Sequence, residues 1–163
     1  MPSKLHSAFF SMRGHHVALR VRDFEGSKNW FVEKLDFRVL KVWWFKNRQH
    51  AYLAPPNDNT FHLEILGGAP MTRPERIYVD LKDSLCDAGY HHFCLVVDDI
   101  TKTIDELRRR GVSIVEEPFN IVEINRRLAF FADPWGNLIE LAQVLPPKTQ
   151  HKLNKRAGMR RSR

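Results

Sequence analysis

Short apolar runs separated by turn residues dominate the chain, and they fall into two similar sets. The segments HVALRV (16–21) and HFCLVV (92–97) are rich in valine and leucine, which predicts short, largely buried strands. Each run is followed by an aspartate, Asp23 or Asp99, that can accept backbone N–H bonds at the start of a helix. Apolar residues at helical spacing come next, and in the second set these are Ile100, Ile104 and Leu107.

Three further strand-like runs follow each helix, and turn sequences such as PPNDN and DPWGN lie between them. The runs are FRVLKVWWF, HAYLA and FHLEIL in the first set, and SIVEEPF, RRLAFFA and NLIELAQ in the second. This order predicts an α+β fold with two βαβββ modules in tandem. The predicted segments are an N-terminal segment (1–13), a first module (14–66), a linker (67–89), a second module (90–145) and a basic disordered tail (146–163).

An internal repeat with an offset of 76 residues relates the two modules. The doublet His15-His16 is repeated as His91-His92, and Glu64 is repeated as Glu140. Successive side chains of a strand point to opposite faces, so the second histidine and the glutamate of each module should project away from the helix. By the same alternation, His15 and His91 are predicted to point the opposite way and to be structural residues.

The repeated pair predicts a divalent-metal site. A single histidine on a strand is usually a hydrogen-bonded structural residue, but a carboxylate in an apolar strand is costly unless it is paired or binds a metal. If the two sheets face each other, they pool two imidazoles and two carboxylates, from His16, Glu64, His92 and Glu140. Such nitrogen and oxygen donors suit Zn, Ni, Co, Mn or Fe(II). Whether one chain or two chains supply the ligands is left open.

Three other side chains share this face of the strands. Arg20, close to His16, is a candidate for binding an anionic group of the substrate, with a solvent-exposed charge as the alternative. His62 alternates in phase with Glu64 and is a candidate substrate contact. Cys94 has no evident activating partner, so we expect a small pocket-lining residue and not a nucleophile.

Composition narrows the functional classes. The chain is 43% hydrophobic and 28% charged, as in ordinary globular proteins, and no run approaches the ~20 apolar residues of a membrane helix. With two cysteines and no evident secretion signal, we expect a cytoplasmic protein without disulfides. The net charge of +7 resides in the tail, 146–163. Weak nucleic-acid contact by this tail is therefore only a minor hypothesis.

At these residues the chain resembles the vicinal oxygen chelate superfamily, which includes glyoxalase I, methylmalonyl-CoA epimerase, fosfomycin-resistance proteins and extradiol dioxygenases. The resemblance covers residues 14–144 and rests on the segments HHVALRVRDFEGSKNWF, GYHHFCLVVDDI and FFADPWGNLIELAQ. It implies a glyoxalase-like open barrel around a central cleft, one divalent metal per site and a homodimer. His16, Glu64, His92 and Glu140 match the four-ligand pattern of glyoxalase I.

The resemblance implies a metal-dependent lyase or isomerase acting on a small molecule. The metal would polarise a carbonyl, and Glu140 or Glu64 would remove the adjacent proton. One alternative is an Fe(II) extradiol dioxygenase that cleaves an aromatic diol and needs no carboxylate at Glu64. Another is a non-catalytic module, like the bleomycin resistance proteins, that binds a small ligand and pairs both glutamates with arginine or lysine. The presence of Glu64 favours the lyase or isomerase.

Overall fold

The computed structural model describes residues 7–68, 70 and 76–146 of the 163-residue chain. Apart from Pro146, the predicted basic tail lies outside the described residues. The first module contains β1 (His16–Arg20), α1 (Phe24–Leu35), β2 (Arg38–Phe45), β3 (Arg48–Ala54) and β4 (His62–Gly67). A short helix, α2 (Leu81–Ser84), precedes the second module. That module contains β5 (His92–Val96), α3 (Ile100–Arg109), β6 (Ser113–Ile121), β7 (Arg126–Ala132) and β8 (Leu138–Val144). The predicted α+β fold with two βαβββ modules is confirmed.

Each module forms a four-stranded sheet with the same topology. The strand orders are β1-β4-β3-β2 and β5-β8-β7-β6. The first and last strands of each module are parallel neighbours, and the remaining pairs are antiparallel. A parallel pair needs a long crossover connection, which α1 and α3 begin. The first-to-last strand register is also repeated, with Ala18 opposite Glu64 and Cys94 opposite Glu140.

The two helices cover one face of each sheet and share one apolar core. Aspartates cap both helices as predicted: Asp23 accepts from the backbone N–H of Gly26, and Asp99 accepts from that of Lys102. The buried residues of the core include Leu19, Val21, Phe31, Leu63, Ile65, Ile104, Leu107, Ile139 and Leu141. Leu63 and Ile65 flank Glu64, and Ile139 and Leu141 flank Glu140, so both glutamates lie on the face opposite the core, as strand alternation predicted.

The modules are joined by contacts between α1, α3 and the strands beside them. The rings of Phe61 and Phe93 stack with centroids 5.9 Å apart. Arg110, just after α3, donates to Asp36 Oδ1 at 2.8 Å, and Lys34 Nζ donates to the Arg110 carbonyl at 2.8 Å. Within the described residues, no helix is long and apolar enough to cross a membrane.

Candidate metal centre

Strands β1 and β4 bring the histidine and the glutamate of the first module together. His16 Nε2 lies 3.0 Å from Glu64 Oε2. The Glu64 residue is buried, with 8% of its surface exposed. Its other oxygen, Oε1, lies 2.9 Å from Nδ1 of His50 on β3. Nothing in the sequence pattern pointed to His50, which has no histidine counterpart in the second module.

Strands β5 and β8 repeat this pairing in the second module. His92 Nε2 lies 3.3 Å from Glu140 Oε2. Burial lowers the pKa of His92 below its ordinary value, against the opposing effect of the Glu140 charge. Burial, reinforced by a hydrogen bond to Glu140, raises the pKa of the Cys94 thiol to about 12. A raised pKa keeps the thiol mainly protonated near pH 7, which agrees with the expectation that Cys94 is not a nucleophile.

A chain of hydrogen bonds determines which nitrogen of His92 carries its proton. Ser84 Oγ lies 2.6 Å from the Leu81 carbonyl oxygen, which can only accept, so the hydroxyl proton is used there. His91 Nε2, 2.7 Å from Ser84 Oγ, must therefore donate to the hydroxyl. In a neutral imidazole the other nitrogen is then an acceptor, so His92 Nδ1–H donates to His91 Nδ1 at 2.7 Å. This tautomer leaves a lone pair on His92 Nε2.

The geometry of both pairs fits a divalent cation. A neutral His92 with its proton on Nδ1 presents its Nε2 lone pair to Glu140 Oε2, and a proton or a metal cation can bridge two such acceptor atoms. Metal–ligand bonds of about 2.0–2.2 Å place neighbouring donor atoms of tetrahedral or octahedral ions about 3.0–3.5 Å apart. The observed separations of 3.0 and 3.3 Å agree with this spacing.

The structure does not bring the two pairs together within one chain. Among its described residues, no group of three or more His, Cys, Asp or Glu side chains is placed to hold a metal ion. His16 meets Glu64, and His92 meets Glu140, so each module contributes two donor atoms. Each module therefore provides half of the predicted four-ligand set.

The predicted orientation of His15 and His91 was wrong. Their Nδ1 atoms lie 2.8 and 2.7 Å from Nδ1 of His16 and His92, so each contacts the candidate ligand next to it. The physical reason is the position of the strand starts. Strands β1 and β5 begin at His16 and His92. Strand alternation therefore does not govern the preceding residue.

The predicted substrate contacts lie on the same strands. His62 lies on the Glu64 face, as predicted. Its ring stacks on the ring of Tyr52, and the Tyr52 ring centroid is in turn 5.5 Å from that of His16. The Nδ1 atom of His62 is buried and has no hydrogen-bond partner in the described part of the chain. Arg20 is exposed at the end of β1. Their roles in substrate binding stay predictions.

A separate cavity of about 600 Å³ lies where the two modules meet. Its walls come from the C-terminal end of α1, the loop after β3, strand β5 and helix α3. None of the four candidate ligands lines it. Cys94, which is paired with Glu140 across β5 and β8, is one of its lining residues, so the cavity lies next to the second pair without including its ligands.

Comparison with known proteins agrees with this fold. The Bacillus subtilis protein YraH is 31% identical over 131 residues, which cover 79% of this chain and 96% of its own. A probable lactoylglutathione lyase of Vibrio cholerae is 26% identical over 132 residues, covering 78% of this chain and 88% of its own. The crystal structure of a glyoxalase family protein from Enterococcus faecalis matches with a TM-score of 0.65 and 27% identity, over 83% of this chain and 99% of that one.

The resemblance inferred from the repeated segments is confirmed by a match to a family model. The model of the Glyoxalase/Bleomycin resistance protein/Dioxygenase superfamily matches residues 13–141, which include both modules. The chain therefore belongs to the Glyoxalase/Bleomycin resistance protein/Dioxygenase superfamily.

Proposed function

We propose that the chain is a divalent-metal-dependent lyase or isomerase of the glyoxalase I type, which removes a proton next to a carbonyl of a small-molecule substrate. The observation that carries the proposal is the close approach of a histidine Nε2 to a glutamate Oε2 in both modules, at 3.0 Å for His16 and Glu64 and at 3.3 Å for His92 and Glu140. Repetition of this pair at equivalent strand positions favours a metal-ligand role over an isolated ion pair. Membership of a superfamily that includes enzymes, and the name of the Vibrio cholerae relative, support the same class.

A second copy of the chain completes the site in this proposal. Exposed apolar side chains on β2 support a protein interface, since such patches are uncommon on monomers. Val42, Trp44 and Phe45 are 46%, 65% and 57% exposed. In a twofold dimer, the His16–Glu64 pair of one protomer would face the His92–Glu140 pair of the other, and symmetry would generate two equivalent sites.

The residues divide the chemistry between binding and proton transfer. His16, Glu64, His92 and Glu140 would hold a divalent ion, which when bound would polarise the substrate carbonyl as a Lewis acid. A carboxylate oxygen of Glu64 or Glu140 accepts the α-proton and returns it to the adjacent carbon, giving isomerisation without redox change. Cys94 lies opposite Glu140 on the neighbouring strand and is assigned no part in the chemistry. Arg20 and His62 contact the substrate.

The partners of the two carboxylates distinguish this proposal from a non-catalytic binding module. Such a module would pair Glu64 and Glu140 with arginine or lysine. In the described residues, the ion pairs of both glutamates are with histidines: His16 and His50 for Glu64, and His92 for Glu140. Histidine is a metal ligand, whereas a lysine or arginine cation would compete with a metal for the carboxylate.

Metal analysis of protein purified without chelator tests the proposal. One divalent ion per chain is expected, and His92→Ala should remove it while the fold, followed by circular dichroism, is retained. The metal-loaded protein should isomerise the glutathione hemithioacetal of an α-ketoaldehyde to an α-hydroxy thioester. Unchanged metal content in His92→Ala would refute the ligand assignment. Ring cleavage of catechol after anaerobic Fe(II) loading and addition of oxygen would instead assign a dioxygenase.

A further inference from the structure

The two glutamates are held differently although they occupy equivalent strand positions. On β3, His50 is opposite Leu66 of β4 and reaches across to Glu64. At the equivalent place on β7, Leu128 is opposite Ala142 of β8. A leucine cannot donate a hydrogen bond. The second module therefore lacks the contact that restrains Glu64 in the first.

His50 is itself fixed by its surroundings. The residue is only 7% exposed, and its ring stacks on Trp43 with centroids 5.1 Å apart and planes inclined by 24°. Phe45 contacts the ring from its edge, with centroids 6.2 Å apart. An ionised carboxylate can only accept, so the Nδ1–H of His50 donates to Glu64 Oε1 at 2.9 Å. A buried, stacked and hydrogen-bonded ring holds the carboxylate in one orientation.

We infer that His50 is a positioning residue, which holds Glu64 through Oε1 so that Oε2 is directed, beside His16 Nε2, at the metal ion. This inference rests on the proposed function. Outer hydrogen bonds of this kind orient metal ligands and tune their affinity. Among the described residues, Glu140 pairs with His92 but has no second histidine, because Leu128 occupies the position of His50. The two halves of the site are therefore not equivalent.

Cobalt(II) binding to the full chain tests this role. His50→Leu copies the residue of the second module, and it should weaken Co(II) binding about 10- to 100-fold and change the visible absorption spectrum of the bound ion. His50→Gln keeps an N–H donor, so it should restore much of the Co(II) affinity and of the parent absorption spectrum. A general loss of packing would not distinguish leucine from glutamine in this way, and near-ultraviolet circular dichroism checks that both variants are folded.

The outcomes separate this inference from the proposed function. If the parent protein binds no Co(II), the proposed function fails. If the parent binds Co(II) and His50→Leu changes neither the affinity nor the spectrum, only the role of His50 is refuted. The parent protein also offers a test without substitution, because ¹⁵N chemical shifts should show that Nδ1 of His50 carries a proton. A neutral His50 protonated at Nε2 alone would overturn the inference.

Discussion

Replacing Ser84 by alanine tests the hydrogen-bond chain that sets the His92 tautomer. The Ser84 residue is 1% exposed and makes two short hydrogen bonds, to the Leu81 carbonyl and to His91 Nε2. Each net hydrogen bond is worth about 1 kcal/mol, and a buried group left unpaired costs about 1–3 kcal/mol. His91 is partly exposed, so water can replace some of what is lost. Ser84→Ala should lower the free energy of unfolding by about 2 kcal/mol, measured by urea denaturation.

The same substitution should weaken divalent-metal binding about 10- to 100-fold, because His91 is no longer held in the tautomer that accepts from His92. Calorimetric titration of the metal-stripped protein measures this affinity. Ser27→Ala is the matched control, since Ser27 is fully buried and its hydroxyl has no hydrogen-bond partner in the described part of the chain. That control should gain about 0.5–1 kcal/mol of stability and keep its metal affinity. An unchanged metal affinity in Ser84→Ala, together with the expected loss of stability, would refute the tautomer argument.

Two further pairs of substitutions test how the modules are assembled. Arg110 bonds an aspartate and backbone carbonyls at the end of α1, so Arg110→Ala should cost about 1–2 kcal/mol in urea denaturation. Arg109→Ala, which loses only bonds to a glutamate on its own helix, should cost clearly less than Arg110→Ala. Equal losses in the two variants would contradict the inter-module role of Arg110. Gly136 has φ +85°, and a Cβ there would overlap the Arg76 backbone carbonyl, so Gly136→Ala should cost about 3 kcal/mol or more in thermal denaturation. Gly111→Ala is the control, since Gly111 has φ +76° but no atoms near the added Cβ, and it should cost only about 1 kcal/mol. Comparable losses at both sites would show that the close approach of Gly136 to the Arg76 carbonyl is unimportant for stability.

Regular alternation explains why much of the fold could be predicted from sequence. Leu63 and Ile65 are fully buried on the core face of β4, while Glu64 between them faces the other way and meets His16. The repeat offset then extends this arrangement to the second module. Alternation depends only on local geometry, so a single sequence is enough to predict which face a strand residue occupies.

The supporting contacts of the site could not be predicted in the same way. His50 reaches Glu64 across a strand pair. Because the equivalent residue of the second module is Leu128, the internal repeat gives no indication of this contact. Ser84 lies in a helix of four residues, which is too short to show a hydrophobic period. The orientation of His91 depends on where β5 begins, and the boundaries of elements are poorly determined by pattern.

The most direct test of the account concerns whether each site takes its two halves from different chains. The double variant His16→Ala/Glu64→Ala lacks the first half, and His92→Ala/Glu140→Ala lacks the second, so neither should bind metal alone. After subunit exchange at equal concentrations, about half of the dimers are mixed, and each mixed dimer has one intact site of two. The mixture should therefore bind about a quarter of the metal bound by the parent protein. No recovery in a mixture shown to have exchanged its subunits would contradict the shared site.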